Sequence, residues 1–137
     1  MNEKFNIILA STGAVTGYLF GGLDTLIEVF CIILVLDTIT GMLKYYSKGK
    51  YQSKLFRKGL WKKCGYMLAV ILSVQLDKLM GDSGALRTAL LFCVIANEGT
   101  SIIENLGEMG VPFPDTIINA IHVLKNKSEN NCNEQMK

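Results

Sequence analysis

Apolar positions fall into four long blocks separated by short polar breaks, and a weaker fifth block follows two prolines. The first block, Phe5–Leu23, holds 19 residues without a charge, although Ser11, Thr12, Thr16 and several glycines dilute it. That length suffices to cross a bilayer as a helix. The second block is the most apolar, with Glu28 inside it and Asp37 toward its end. The third is uncharged only from Cys64 to Leu76, so Lys62, Lys63 and Lys78 are expected to reach outward to water if it spans. The fourth is uncharged only from Thr88 to Asn97 and contains Glu98. The pattern predicts helices at about 5–22, 23–43, 59–80, 85–106 and 115–124. The expected fold is all-α: a multi-span membrane protein with three transmembrane helices at 23–43, 59–80 and 85–106. A Gly-rich N-terminal membrane helix precedes them and a short amphipathic helix follows, where Ile117, Ile118, Ile121 and Leu124 recur at helical spacing.

Charge distribution changes the picture more than the net charge of +2 does. From Thr38 to Gln75 there is no acid, yet Lys44, Lys48, Lys50, Lys54, Arg57, Lys58, Lys62 and Lys63 all lie there. Such a block suits nucleic acid, an anionic surface or a cytoplasmic leaflet. Its apolar flanks favour the membrane, so residues 44–63 read as a basic cytoplasmic loop, with anionic lipid as a partner and nucleic acid excluded. Tyr45, Tyr46, Tyr51 and Trp61 then fall at headgroup level. Gly81-Asp82-Ser83-Gly84 reads as an external tight turn. Pro112 and Pro114 end the fourth helix. The whole of 1–126 forms one membrane domain, and the polar tail 127–137 is expected to be cytoplasmic and disordered.

Two motif classes carry physics. Small residues recur every fourth position at Gly13-Gly17-Gly21, Gly65-Ala69-Ser73 and Ala85-Ala89-Cys93. In lipid such stripes let backbones approach closely, within one chain or between copies. The second class is polar groups at membrane depth: Glu28, Asp37, Asn97, Glu98, Ser101, Glu104 and Asn105. Glu28 and Asp37 lie on opposite faces of one helix, Asp37 shares a face with Lys44, and Asn97, Ser101, Glu104 and Glu108 form a stripe. These groups line a pore, bridge copies, or form an internal network. Four cysteines, Cys31, Cys64, Cys93 and Cys132, have neither disulfide-framework nor metal spacing, and no catalytic, phosphate-binding or cofactor motif surrounds the lone His122. No enzyme, metal or cofactor is therefore expected.

Four pieces in order resemble the holins of the toxin-secretion and phage-lysis type. They are GAVTGYLFGGLD from Gly13, LDTITG ending at Gly41, SKLFRKGLWKK from Ser53 to Lys63, and LRTALLFCVIANEGTSIIENLGEMGVPFP from Leu86 to Pro114. The resemblance implies a protein of the bacterial inner membrane that self-assembles and opens lesions through which a peptidoglycan hydrolase or a leaderless toxin leaves. Asp37, Gly41, Arg87, Asn97, Glu98, Glu104 and Asn105 are its motif positions. A paired start near the N-terminus is not expected, because the methionine after Met1 is Met42. A soluble bundle, a narrow ion or solute channel and an accessory membrane subunit are the alternative readings.

Overall fold

The computed structural model describes residues 3–49, 53–81 and 83–135, with the side chains of 53–55 and 128–135 outside the description. Five helices follow one another, and no strand occurs among the described residues. They are α1 (Glu3–Phe20), α2 (Thr25–Ser47), α3 (Ser53–Leu79), α4 (Ala85–Glu108) and α5 (Asp115–Gln135).

Local chemistry sets the breaks. Asp24 starts α2: its carboxylate accepts the Ile27 amide at 3.1 Å, which satisfies one of the helix's free N–H groups. The α3–α4 turn is closed from α3, where the Asp77 carboxylate accepts the amides of Leu86 at 3.0 Å and Arg87 at 2.8 Å. Asp77 is only 2% exposed, so this first-turn contact is an internal one. Gly110, at φ 86°, takes the left-handed position after α4, and the Val-Pro-Phe-Pro run prevents continuation.

The centre of the bundle is α4, which packs against α2, α5 and α3. Ile27, Phe30 and Leu34 of α2, Val70 of α3 and Leu91, Val94 and Ile95 of α4 form the apolar core. By contrast, α1 packs mainly along α3 and has no buried residue.

Several expectations change. On length and composition, two helices rather than three suffice to cross a membrane, Thr25–Ser47 and Ala85–Glu108. Charges interrupt α3, and polar residues and glycines dilute α1. The basic stretch 44–63 is not one loop. Lys44 lies in α2, and Lys54, Arg57, Lys58, Lys62 and Lys63 all lie in α3, because no Pro or internal Gly pair stops either helix. Lys50 lies outside the described residues. Similarly α5 does not end at 124 but continues to Gln135, which places most of the tail expected to be disordered in a helix. After Pro114 this stretch has no Gly or Pro, so nothing in its backbone chemistry stops it.

Candidate functional site

The polar groups of the apolar helices face one another. Ten residues from the basic end of each helix stand Asp37 in α2, Lys63 in α3 and Glu98 in α4. At 1.5 Å per residue this is a single layer about 15 Å from that end. Lys63 Nζ lies 2.7 Å from Asp37 Oδ2 and 2.7 Å from Glu98 Oε2. The other Glu98 oxygen takes Lys62 Nζ at 2.9 Å and the Tyr66 hydroxyl at 3.1 Å. Glu98 is 1% exposed and Lys63 8%. Burial of either charge alone would be costly, and the full set of partners is what makes it tolerable.

Two turns nearer the basic end, Lys44 Nζ donates to Asn105 Oδ1 at 3.2 Å and pairs with Glu108 at 2.7 Å. Lys48 also pairs with Glu108. The Asn105 amide nitrogen donates to Thr40 Oγ1 at 3.4 Å and Asp37 Oδ1 at 3.5 Å. A cleft of about 190 Å³ opens between α2 and α3 above Asn105 and Ser101, walled by Met42, Tyr45, Phe56 and Leu60.

At the opposite end Arg87 grips Asp24 with both guanidinium nitrogens, at 2.9 and 2.8 Å. Its Nε donates to the Phe20 carbonyl at 2.6 Å. The fork holds the Asp24 carboxyl below its ordinary range, chiefly through these hydrogen bonds. Gly21, at φ 73°, leaves little room for a Cβ, which would meet the Arg87 side chain at 3.1 Å.

The candidates separate accordingly. Asp37, Glu98, Ser101 and Asn105 converge with Lys44, Lys48, Lys62 and Lys63. Glu28, Asn97 and Glu104 are exposed and stand apart. The inward stripe of α4 is thus Glu98, Ser101, Asn105 and Glu108, and not the expected Asn97, Ser101, Glu104 and Glu108. Lys62 and Lys63 turn toward the carboxylates instead of reaching outward, and Asp37 pairs with Lys63 rather than Lys44. Arg57 and Lys58 remain exposed.

Of the small residues, Gly21 lies outside α1, so that stripe reduces to Gly13 and Gly17, with nothing packed closely on Gly13. Gly65 is exposed, Ala69 and Ala85 are partly covered, and Cys93 is partly covered beside Asn97. Ser73 and Ala89 are buried, Ser73 donating to the Val70 carbonyl. The close approach the stripes did not mark is at Gly99, where a Cβ would stand 3.0 Å from Ile121 of α5. Asp77 was also missed; its position four residues before the turn signal is the cue.

Two helices long and apolar enough to cross a membrane are thus joined through an ion-paired interior in an all-helical chain. Residues 14–126 match the bacteriophage holin family, and the chain belongs to that family. It is 37% identical to an uncharacterized protein of Listeria monocytogenes, over 125 residues covering 91% of this chain and 88% of the other. A probable holin of Bacillus phage phi105 is 33% identical over 112 residues, covering 82% of each chain. An uncharacterized 14.9 kDa protein of Clostridium perfringens is 31% identical over 121 residues, covering 87% of this chain and 91% of that one. No solved structure matches the chain.

Proposed function

We propose that α2, α3 and α4 together span the bacterial inner membrane, and that several copies assemble into lesions that release a peptidoglycan hydrolase or a leaderless toxin. The orientation of α3 carries this reading. Its outward face is Trp61, Cys64, Leu68, Leu72, Leu76 and Leu79, all exposed. Its inward face is Lys63, Tyr66, Val70, Ser73 and Asp77. A helix bathed in water would present the opposite faces. Here the charges find partners inside and leucines meet the surroundings, as hydrocarbon requires. The Lys63–Glu98–Asp37 layer then sits near the middle of a hydrocarbon slab about 30 Å thick. The basic end, with Lys44, Lys48, Arg57 and Lys58, faces the cytoplasm.

Assembly rests on surface that the single chain leaves open. The apolar α1 offers Gly13 with open space above it and Gly17 with only the edge of Leu23 at 3.9 Å, a seam suited to a second helix in lipid.

The reading is tested with purified protein in vesicles of phosphatidylglycerol and phosphatidylethanolamine loaded with size-graded fluorescent dextrans. Release of dextrans as large as a folded hydrolase supports lesions. Ion leakage with every dextran retained would indicate a narrow channel instead, and sealed vesicles holding inserted protein would sink both.

A further inference from the structure

The last helix conflicts with the membrane placement of the helix it lies on. α5 runs back along α4 from the basic end: Ile121 fills the notch at Gly99, and Lys127 Nζ stands 5.1 Å from the centre of the Phe92 ring. Phe92 is 16 residues from Glu108, the basic end of α4. At 1.5 Å per residue it lies about 24 Å from that end, still about 10 Å short of the other. Docked α5 therefore carries exposed Lys127, with Asn126 before it, deep into the hydrocarbon layer. Lys127 pairs there with a ring, and with no carboxylate among the described side chains. Lys62 and Lys63, which also lie within the layer, each have a carboxylate partner.

From this mismatch, and resting on the membrane reading above, we infer that α5 is a removable cover. In the bilayer it leaves α4, and the α4 face around Phe92 and Gly99 becomes a contact for a second copy of this chain. The geometry for release is present. Gly110, Pro112 and Pro114 form a short non-helical joint between α4 and α5. Freed at the cytoplasmic interface, Ile118, Ile121 and Leu124 can sink their shared face among the headgroups while Lys127, on the other side of the helix, faces water. The uncovered face suits a helix: Gly99 already admits one at close range, and the whole surface lies at hydrocarbon depth. The occupant must be apolar throughout its length there, which α5 is not. The α1 helix of another copy is uncharged from Phe5 to Phe20 and presents Gly13 with nothing within 4 Å of it and Gly17 with only Leu23 in contact.

A disulfide decides the matter. The double substitution Gly99→Cys with Ile121→Cys is built in a chain whose four natural cysteines are replaced by alanine, and is placed in the vesicles described above. Oxidation locks α5 down. Expected is a locked chain that remains monomeric on chemical cross-linking, and oligomers on reduction. Equal cross-linking of locked and reduced chains would overturn the inference. A second measurement uses other positions, in case the lock disturbs folding. Spin labels at Phe92→Cys and Lys127→Cys, diluted with unlabelled chain, should show dipolar broadening in micelles and none in vesicles. Broadening that persists in vesicles also overturns it. Dextran release is scored separately: oligomers that form on reduction without leakage count against the lesion reading and leave the interface standing.

Discussion

Neither α1 nor α3 passes as a membrane span on length and composition, and they fail for opposite reasons. α1 has no charge between Lys4 and its end, but polar residues and glycines dilute it, and no side chain in it is buried. α3 has long apolar stretches, but Lys62, Lys63, Asp77 and Lys78 lower its average. In the fold these charges lie on one side, and Lys63 and Asp77 are enclosed. An average along a helix discards direction, and direction is what decides whether a charge is a liability in lipid. α3 is held by directed polar contacts. α1 has a loose lateral hold, with the Lys78 ammonium 4.0 Å from the Tyr18 ring and 3.5 Å from the Tyr18 carbonyl oxygen.

The sharpest way to break this contrast is Lys63→Leu. It raises the hydropathy of α3 and yet leaves Asp37 without its ammonium and Glu98 with one partner fewer. Removing one member of a buried pair costs about 3–5 kcal/mol. We expect a lower unfolding midpoint in detergent, followed through the fluorescence of Trp61, the chain's one tryptophan. Next is Leu72→Lys on the outward face. In water such a change is nearly silent, whereas at the middle of a membrane helix it costs about 2.5–3.5 kcal/mol of insertion. Glycosylation-tag mapping of membrane insertion reads the difference, and full insertion of the variant would return α3 to the ranks of soluble helices.

Acid acts more gently, at the end where α1 meets the bundle. The Asp24 carboxyl is held low by Arg87. Its contribution is therefore complete above the ordinary aspartate range near about 3.9. It fades as pH falls through the lower, folded value. Melting curves should shift downward over that acid window in the parent, and by less in Asp24→Asn. The smallest effect is expected for Gly13→Ala in α1. With nothing within 4 Å of the new methyl, the helix should gain up to about 1 kcal/mol from propensity, without a change of fold by circular dichroism.

Much of the helix plan was legible from hydrophobic blocks and breakers: Asp24, the Gly81–Gly84 turn and the Gly-Val-Pro-Phe-Pro run all fall at helix boundaries. The polar interior was half legible. Asp37, Glu98 and Asn105 stood out as costly residues, but their partners did not, because lysines near a helix end are usually given to water. Matching depths would have found them: Asp37, Lys63 and Glu98 each stand ten residues from the basic end of their helix. The inward register of α4 was misjudged by one position because Asn97 and Glu104 fit a polar stripe as well as Glu98 and Asn105 do. Which stripe turns inward depends on where α2 and α3 stand, and that information is not local. The extent of α5 was missed because polar composition argues for solvation, not against helix formation.

Asp77 has a consequence for how the chain reaches its final place. On the proposed membrane placement, the closed end of the α3–α4 hairpin has to be carried across the lipid to the far side during biogenesis. Bare amides at the start of α4 would make that passage expensive. Two of them, at Leu86 and Arg87, are already engaged by a carboxylate supplied from the preceding helix. The hairpin can thus travel as a pre-assembled unit, part of its polar debt settled before translocation begins.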